Sequence, residues 1–284
     1  MPSAKRERQR EGRQARVAAA MIEQRRRQRW RTVRNFGLLV VFIVVVIFVL
    51  SRTLGGDDAK PVTASSGSTS TSTSTVPPEF TFGSGPCPNA DGSSPKTIDF
   101  TDAPQKCIDP AKTYTATFDT SAGKIVVRLD TEKTPGTANN FVVLARYHYY
   151  DGTQFFRTAQ EIGIIQGGAP HTNSTSDKGP GYALPDEGFD YASLATGGGA
   201  AGGPYSYLPG DLVMARTASP NGASAQFFFA VNEKTAASLD SQGVYVKFGT
   251  VTEGLDLLQF VLAAEPAEQP ANPVTVNAVT ITES

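Results

Sequence analysis

The chain has 284 residues, with 26 Lys plus Arg, 27 Asp plus Glu and a formal net charge of −1. At 39% hydrophobic and 19% charged residues it is neither a wholly disordered, a collagenous nor a polytopic membrane protein. The neutral total conceals a division: residues 1–35 hold twelve basic groups against three acidic ones, and residues 53–284 hold 13 basic against 24 acidic.

Residues 1–31 form a basic arm. It ends at Trp30, the single Trp, and Arg31. The arm either lies on anionic lipid or is a solvated charge run that sets topology. No motif in it points to nucleic acid. Phe36 to Leu50 then runs without a charge or strong polar group, and Arg31, Arg34 and Arg52 flank it. With its margins the span 32–52 has the ~20 residues a bilayer-crossing helix needs, and in lipid a lone span is helical. The Arg excess on its N-terminal side places the arm in the cytoplasm and the rest outside. The competing readings are a buried helix and a cleaved signal peptide. An unbroken apolar run with basic flanks opposes the first. The long charged region and the lack of an Ala-x-Ala site after Leu50 oppose the second.

Residues 53–82 read as a linker. From Thr63 to Thr75 every residue except Ala64 and Gly67 is Ser or Thr, a composition that cannot offset its ordering entropy by burial. Residues 83–109 carry both cysteines, Cys87 and Cys107. In an oxidising compartment two nearby thiols pair. The spacing lacks further metal ligands or a Cys-x-x-Cys, so one intramolecular disulfide is expected, worth roughly 3 kcal/mol on the chain-entropy model.

Residues 110–284 are enough for one domain with its own core. Tyr114–Phe118 and Lys124–Leu129 alternate around Ser121-Ala-Gly123, which predicts a hairpin. Thr134-Pro135 predicts a helix start with Thr as N-cap, and Ala138, Phe141, Val142 and Ala145 recur at helical spacing. Short β-rich runs follow at 154–157, 162–165, 211–214, 226–231 and 244–248. A second helix is expected at Gly254–Ala264 and a last strand at Val274–Thr282. Many strands and two helices predict a mainly β fold, a closed antiparallel barrel without exposed edges.

Six blocks stand in order along this domain. They are Tyr149-Tyr-Asp-Gly-Thr-Gln-Phe-Phe-Arg157, Ile165-Gln-Gly-Gly168, Gly179-Pro-Gly-Tyr182 with Leu184-Pro-Asp-Glu187, Leu212-Val-Met-Ala215, Ser224-Ala-Gln-Phe-Phe-Phe229 and Phe248-Gly-Thr-Val-Thr-Glu-Gly254. Over residues 113–283 the chain resembles the cyclophilin-type peptidyl-prolyl cis–trans isomerases. The anchored, Cys-bearing arrangement is similar to extracytoplasmic forms from Gram-positive, actinobacterial-like sources. The resemblance implies an eight-stranded antiparallel barrel capped by two helices.

It also implies a reaction that needs no cofactor and no metal. Rotation about an X–Pro amide is opposed by ~18–20 kcal/mol because the nitrogen lone pair is delocalised into the carbonyl. Lowering that barrier takes a hydrogen-bond donor and a dry hollow for the ring. Arg157 matches the family's catalytic Arg, whose guanidinium is a fixed fork of donors. Gln166 and Gln226 match glutamines that hold the Arg and the substrate backbone. Phe228 matches the aromatic floor, with Phe227 and Phe229 pointing the other way into the barrel. Phe155, Ile164, Met214, Ala215, Leu239 and Tyr245 complete the implied substrate surface, with core packing as the alternative for the apolar ones.

The chain departs from the family pattern in three places. One extra residue lies between Arg157 and Gln166, which leaves the wall open between Ile162, Gly163 and Ile164. Ser238 stands where many members have Trp, so weak cyclosporin inhibition is expected. Tyr245 stands where His is common, after two extra residues. The Gly-rich run Thr196–Gly203 lacks the Gly-Lys-Ser/Thr ending of a phosphate loop and reads as a flexible excursion. The two His and the lack of a Gly-x-Ser-x-Gly argue against a hydrolase, and a zinc site would need more ligands. The expected function is isomerisation in unfolded exported proteins at the outer face of the cell membrane, on proline-containing peptides, with residues 32–52 in lipid and no nucleic acid. The departures leave a second possibility, a catalytically weak module that binds proline-containing segments or a partner protein. Client identity and oligomeric state are not legible.

Overall fold

The computed structural model describes residues 80–189 and 203–284. The basic arm, the apolar span 32–52, the linker as far as residue 79 and the Gly-rich run as far as residue 202 lie outside the described residues. No helix among the described residues is long and apolar enough to cross a membrane.

Strands β1 (Tyr114–Thr120) and β2 (Gly123–Leu129) form the expected hairpin, closed by a Thr120–Gly123 pair. The Thr120 hydroxyl accepts from the N–H groups of Ala122 and Gly123, and Gly123 takes φ +138°, a conformation that glycine adopts without a Cβ penalty. Helix α1 (Pro135–Arg146) follows, then two short strands, β3 (Thr153–Gln154) and β4 (Arg157–Ala159). β5 (Ile164–Gly167), β6 (Asp211–Arg216) and β7 (Ala223–Ala230) build the middle of the sheet. Helix α2 (Lys234–Leu239), β8 (Lys247–Glu253), helix α3 (Leu255–Ala264) and β9 (Thr275–Glu283) complete the chain.

All strands join one antiparallel sheet in the order β3-β9-β1-β2-β8-β6-β7-β5-β4. The described residues therefore hold nine strands and three helices, not the eight and two expected. The extra strand has a simple origin. The run 154–157, expected as one strand, breaks at Phe155–Phe156. The Phe155 N–H donates to Val274 O at 2.8 Å on one side, and the Phe156 N–H donates to Gln166 O at 3.1 Å on the other. The chain thus steps from one end of the sheet to the other, and the sheet's two outer strands are neighbours in sequence. The extra helix, α2, is a six-residue stretch, Lys-Thr-Ala-Ala-Ser-Leu, between β7 and β8.

The inward faces of the strands fill the interior with aromatic rings. Phe118, Phe141, Tyr150, Phe227 and Phe229 meet at centroid distances of 4.9 to 5.9 Å, mostly edge to face. Such pairs add about 0.5–1.5 kcal/mol each beyond their burial. Helix α1 was expected to bury one face, yet Gly136 through Arg146 are all buried. Its outer face is covered by the segment that precedes the domain. Asn139 accepts from the N–H groups of Cys107 and Ile108, and Phe80 packs on Gly136, where a Cβ would collide with its ring. Phe80–Phe82, expected to end the linker, therefore lies against the folded unit. The helix start is also built differently from expectation. The Thr134 hydroxyl donates to Asp130 O and caps nothing, while Glu187 accepts from the N–H groups of Gly136 and Thr137, each at 2.8 Å.

The segment 83–109 is held by the expected Cys87–Cys107 disulfide, with Cα atoms 5.4 Å apart. It makes few regular bonds of its own and is fastened from outside. Thr97 N–H donates to Tyr147 O, Phe100 N–H donates to Pro180 O, and Asp99 pairs with His171 and Lys178. The far side of this segment thereby braces the loop 171–182.

Candidate active site

Three strands meet in register beside this loop. Arg157 of β4 pairs with Gln166 of β5, and Gln166 pairs in turn with Phe228 of β7. With neighbouring strands about 4.8 Å apart, that register lines the three residues up in a row. Strand alternation sends Ile165, Phe227 and Phe229 into the main core, and leaves Ile164, Gln166, Gln226 and Phe228 on the opposite face. There they border a groove of about 530 Å³, with Arg157, Ala215, Leu239 and Tyr245 also on its wall.

The groove opens because β6 and β7 splay. Met214 pairs with Phe227 and Arg216 with Ala223, so the single residue Ala215 faces three residues of β7. A bulge of this kind bends the strand and frees side chains from the ladder. The floor is a small apolar cluster distinct from the main core, made by Phe228, Ile164, Val213, Leu239, Tyr207 and Ala159. Tyr245 stands over Phe228 as a wall, and its main chain is pinned on both sides by the Tyr207 hydroxyl, which donates to Tyr245 O and accepts from its N–H, both at 3.0 Å.

The extra residue between Arg157 and Gln166 is absorbed in a tight turn. Gly163 takes φ +71° and packs on Asn232, so it has no side chain to offer, and Ile162 and Ile164 both line the groove. Two expected residues are not in the groove. Phe155 is 1% exposed and packs in the main core with its centroid 5.7 Å from Phe229, because the break after β3 turns it inward. Met214 is also 1% exposed and belongs to the main core. Adjacent residues of a strand face opposite ways, so Met214 and Ala215 cannot both line the groove. Ser238 is half-buried and lies outside the lining.

A polar chain runs along the rim. The Arg157 Nη1–H donates to Gln166 Oε1 at 3.1 Å, and Gln166 Nε2–H donates to Gln226 Oε1 at 2.9 Å. Gln166 is only 6% exposed, so its amide is fixed by these partners. On its other side Arg157 donates through Nε to Glu268 Oε1 at 2.7 Å. The sequence reading missed Glu268, since nothing local marks a residue 111 positions from its partner. Beyond the bulge the groove becomes polar, bordered by Thr175, Asp177, Lys178 and Tyr182. Burial works against the charge of Asp177, but the N–H groups of Gly179, Thr172 and His171 and the His171 ring outweigh it and hold the carboxyl below its ordinary range. Among the described residues no group of three or more His, Cys, Asp or Glu could hold a metal ion.

Residues 115–282 match the family model described as cyclophilin type peptidyl-prolyl cis–trans isomerase/CLD. The chain belongs to this family. The cyclophilin is 29% identical over 180 residues to peptidyl-prolyl cis–trans isomerase cyp18 of Streptomyces antibioticus, an alignment covering 59% of this chain and 98% of that one. It is 35% identical over 133 residues to peptidyl-prolyl cis–trans isomerase B of Bacillus subtilis (strain 168), covering 47% of this chain and 79% of the relative. A crystal structure of a Cryptosporidium parvum cyclophilin type isomerase in the presence of the dipeptide Ala-Pro aligns with a TM-score of 0.46 at 22% identity. It covers 60% of this chain and 99% of that one. The cyclophilin is accordingly a peptidyl-prolyl cis–trans isomerase, EC 5.2.1.8.

Proposed function

We propose that this cyclophilin is anchored in the cell membrane by residues 32–52 and isomerises X–Pro bonds of exported, incompletely folded proteins on the outer side, with Arg157 as the catalytic residue. The uncharged run with its Arg-rich N-terminal flank supports the anchor and its orientation. The Cys87–Cys107 disulfide supports an oxidising compartment. The split between an acidic C-terminal part and a basic arm fits the same arrangement. The extracytoplasmic, actinobacterial-like form belongs to this proposal.

The observation that carries the catalytic reading is the Arg157–Gln166–Phe228 row. It sets a permanently charged donor beside an apolar floor. In the reaction the proline ring sits on Phe228 between Ile164, Leu239 and Tyr245. Gln166 and Gln226 hold the substrate main chain. As the amide twists, its nitrogen lone pair localises and becomes an acceptor. A guanidinium N–H meets it, and this bond exists only in the twisted state, so it lowers the barrier without tightening the ground state. No proton is transferred and no covalent intermediate forms.

Proline-isomer exchange on a tetrapeptide, followed by NMR with wild type and Arg157→Ala, tests the reading. Loss of roughly 10²–10³-fold in rate is expected, the usual cost of removing one preorganised donor. Peptide binding without catalysis in the wild type would instead favour a binding module. Protease accessibility of the folded part in sealed vesicles carrying the full chain tests the orientation.

A further inference from the structure

We infer that Glu268 is a positioning residue for the isomerase reaction: it holds the Arg157 guanidinium from behind and keeps its free N–H groups directed into the groove. The inference rests on the assignment of Arg157 as the donor to the amide nitrogen.

A guanidinium has five N–H groups. In this structure Nε donates to Glu268 Oε1, Nη2 lies 2.5 Å from the same oxygen as an ion pair, and Nη1 donates to Gln166. The remaining N–H groups belong to a side chain that lines the groove. An Arg without such partners samples many rotamers, and each transition-state bond then requires it to be ordered anew. Here the fork is gripped at both ends before substrate arrives.

The grip itself is anchored. Thr158, next to Arg157, donates its N–H to Glu268 O and its hydroxyl to Ala267 O, both at 2.9 Å. Donor and acceptor thus sit on main chains bonded to each other one residue away. The loop carrying Glu268 is closed by the buried Glu265 carboxylate, which accepts from the N–H groups of Ala271 and Asn272 at 2.9 and 3.2 Å. Pro266, Pro270 and Pro273 fix φ at three further points. A carboxylate delivered by a loop this constrained is preorganised in the manner an active-site support requires.

Glu268 is not itself among the groove residues. It borders a neighbouring depression with Phe156 and Asn173, on the other side of the Arg157 side chain. It therefore acts through Arg157 and not on substrate. Its side chain is 65% exposed. A pair that open to water adds little to stability, so its effect should appear in catalysis and not in unfolding.

The experiment measures kcat and KM separately by exchange NMR for wild type, Glu268→Ala, Glu268→Gln and Arg157→Ala. Glu268→Ala is expected to lower kcat roughly tenfold, the scale of a small misplacement of a catalytic group, with KM within about twofold and the melting temperature unchanged. Glu268→Gln keeps an acceptor and should recover part of the loss. The Arg157 Nε–H resonance should shift and exchange faster with solvent in Glu268→Ala. An unchanged kcat in Glu268→Ala overturns the inference, as does a raised kcat, which would make the carboxylate an inhibitory latch. A raised KM at constant kcat also overturns it, since that would mean direct contact with the peptide. If Arg157→Ala is fully active, the catalytic reading fails; if it is inactive and Glu268→Ala is normal, only the inference on Glu268 fails.

Discussion

Phe228 and Tyr245 meet edge to face across the groove, with ring centroids 5.9 Å apart and planes at 76°. The hydroxyl of Tyr245 makes no contact that the wall needs, while its ring and its pinned main chain do the holding. Tyr245→Phe is expected to keep full activity. Tyr245→Ala should raise KM about fivefold, the equivalent of losing an aromatic contact of roughly 1 kcal/mol. Steady-state exchange on a tetrapeptide distinguishes the two.

The pH dependence of catalysis follows from the residues that line the groove. Histidine is the side chain whose ordinary pKa falls between pH 5 and 8, and no histidine lines the groove. A guanidinium is a poor proton donor over this range. The rate constant for isomerisation is expected to be flat from about pH 6 to 9. A bell-shaped profile would mean that a proton is moved in the rate-limiting step.

Stability should depend on pH at two places with opposite signs. Hydrogen bonds from Arg146 and Lys112 pull the Glu283 carboxyl from 4.5 down to about 2. A lowered folded-state pKa gives stability that is complete above the ordinary value and is lost as pH falls from 4.5 toward 2. His148 is shifted the other way, up from 6.5, by its hydrogen bonds to the Asp151 carboxylate and then to Gly92 O. Its contribution is complete below pH 6.5 and is lost as pH rises through the higher folded value. Urea denaturation across pH should therefore show a shallower acid limb in Glu283→Gln, and a flatter course above pH 6.5 in His148→Gln.

Glu187 supplies what Thr134 does not at the start of α1. Removing it in Glu187→Ala strands the buried N–H groups of Gly136 and Thr137 and the Thr137 hydroxyl, which donates to the same carboxylate. An unsatisfied buried donor costs about 1–3 kcal/mol, so a loss of about 3 kcal/mol in the unfolding free energy from urea denaturation is expected. Thr134→Ala should cost less, since its hydroxyl bonds to Asp130 O at 3.0 Å and to Lys247 O at 3.5 Å and satisfies no helix N–H.

The parts of this architecture that were legible in sequence are those encoded by local period. The β1–β2 hairpin, α1, α3 and β9 come from alternation, helical spacing and Gly or Pro punctuation, and the structure places each within a residue or two. Gln166, Gln226 and Phe228 were legible through the resemblance to the family's blocks, with strand alternation turning Phe227 and Phe229 to the core, while the wall was left open between Ile162, Gly163 and Ile164. Phe155 was misplaced for want of register, since the break after Gln154 is a long-range outcome of strand pairing, whereas Met214 was misplaced against the local alternation that already sets it opposite Ala215. Glu268, Glu187 and the cover over α1 are contacts between segments 31 to 111 residues apart, and composition carries no trace of them.

The step at Phe155–Phe156 has a mechanical consequence. The two outer strands of the sheet, β3 and β4, are joined there by two residues of main chain rather than by a ladder of rungs, and Arg157 is attached one stitch further on. Proteolytic cutting between Gln154 and Arg157 would let the margins β3 and β4 part while Arg157 stays paired with Gln166 across β4–β5, whereas new termini placed in the β1–β2 turn would leave the stitch intact.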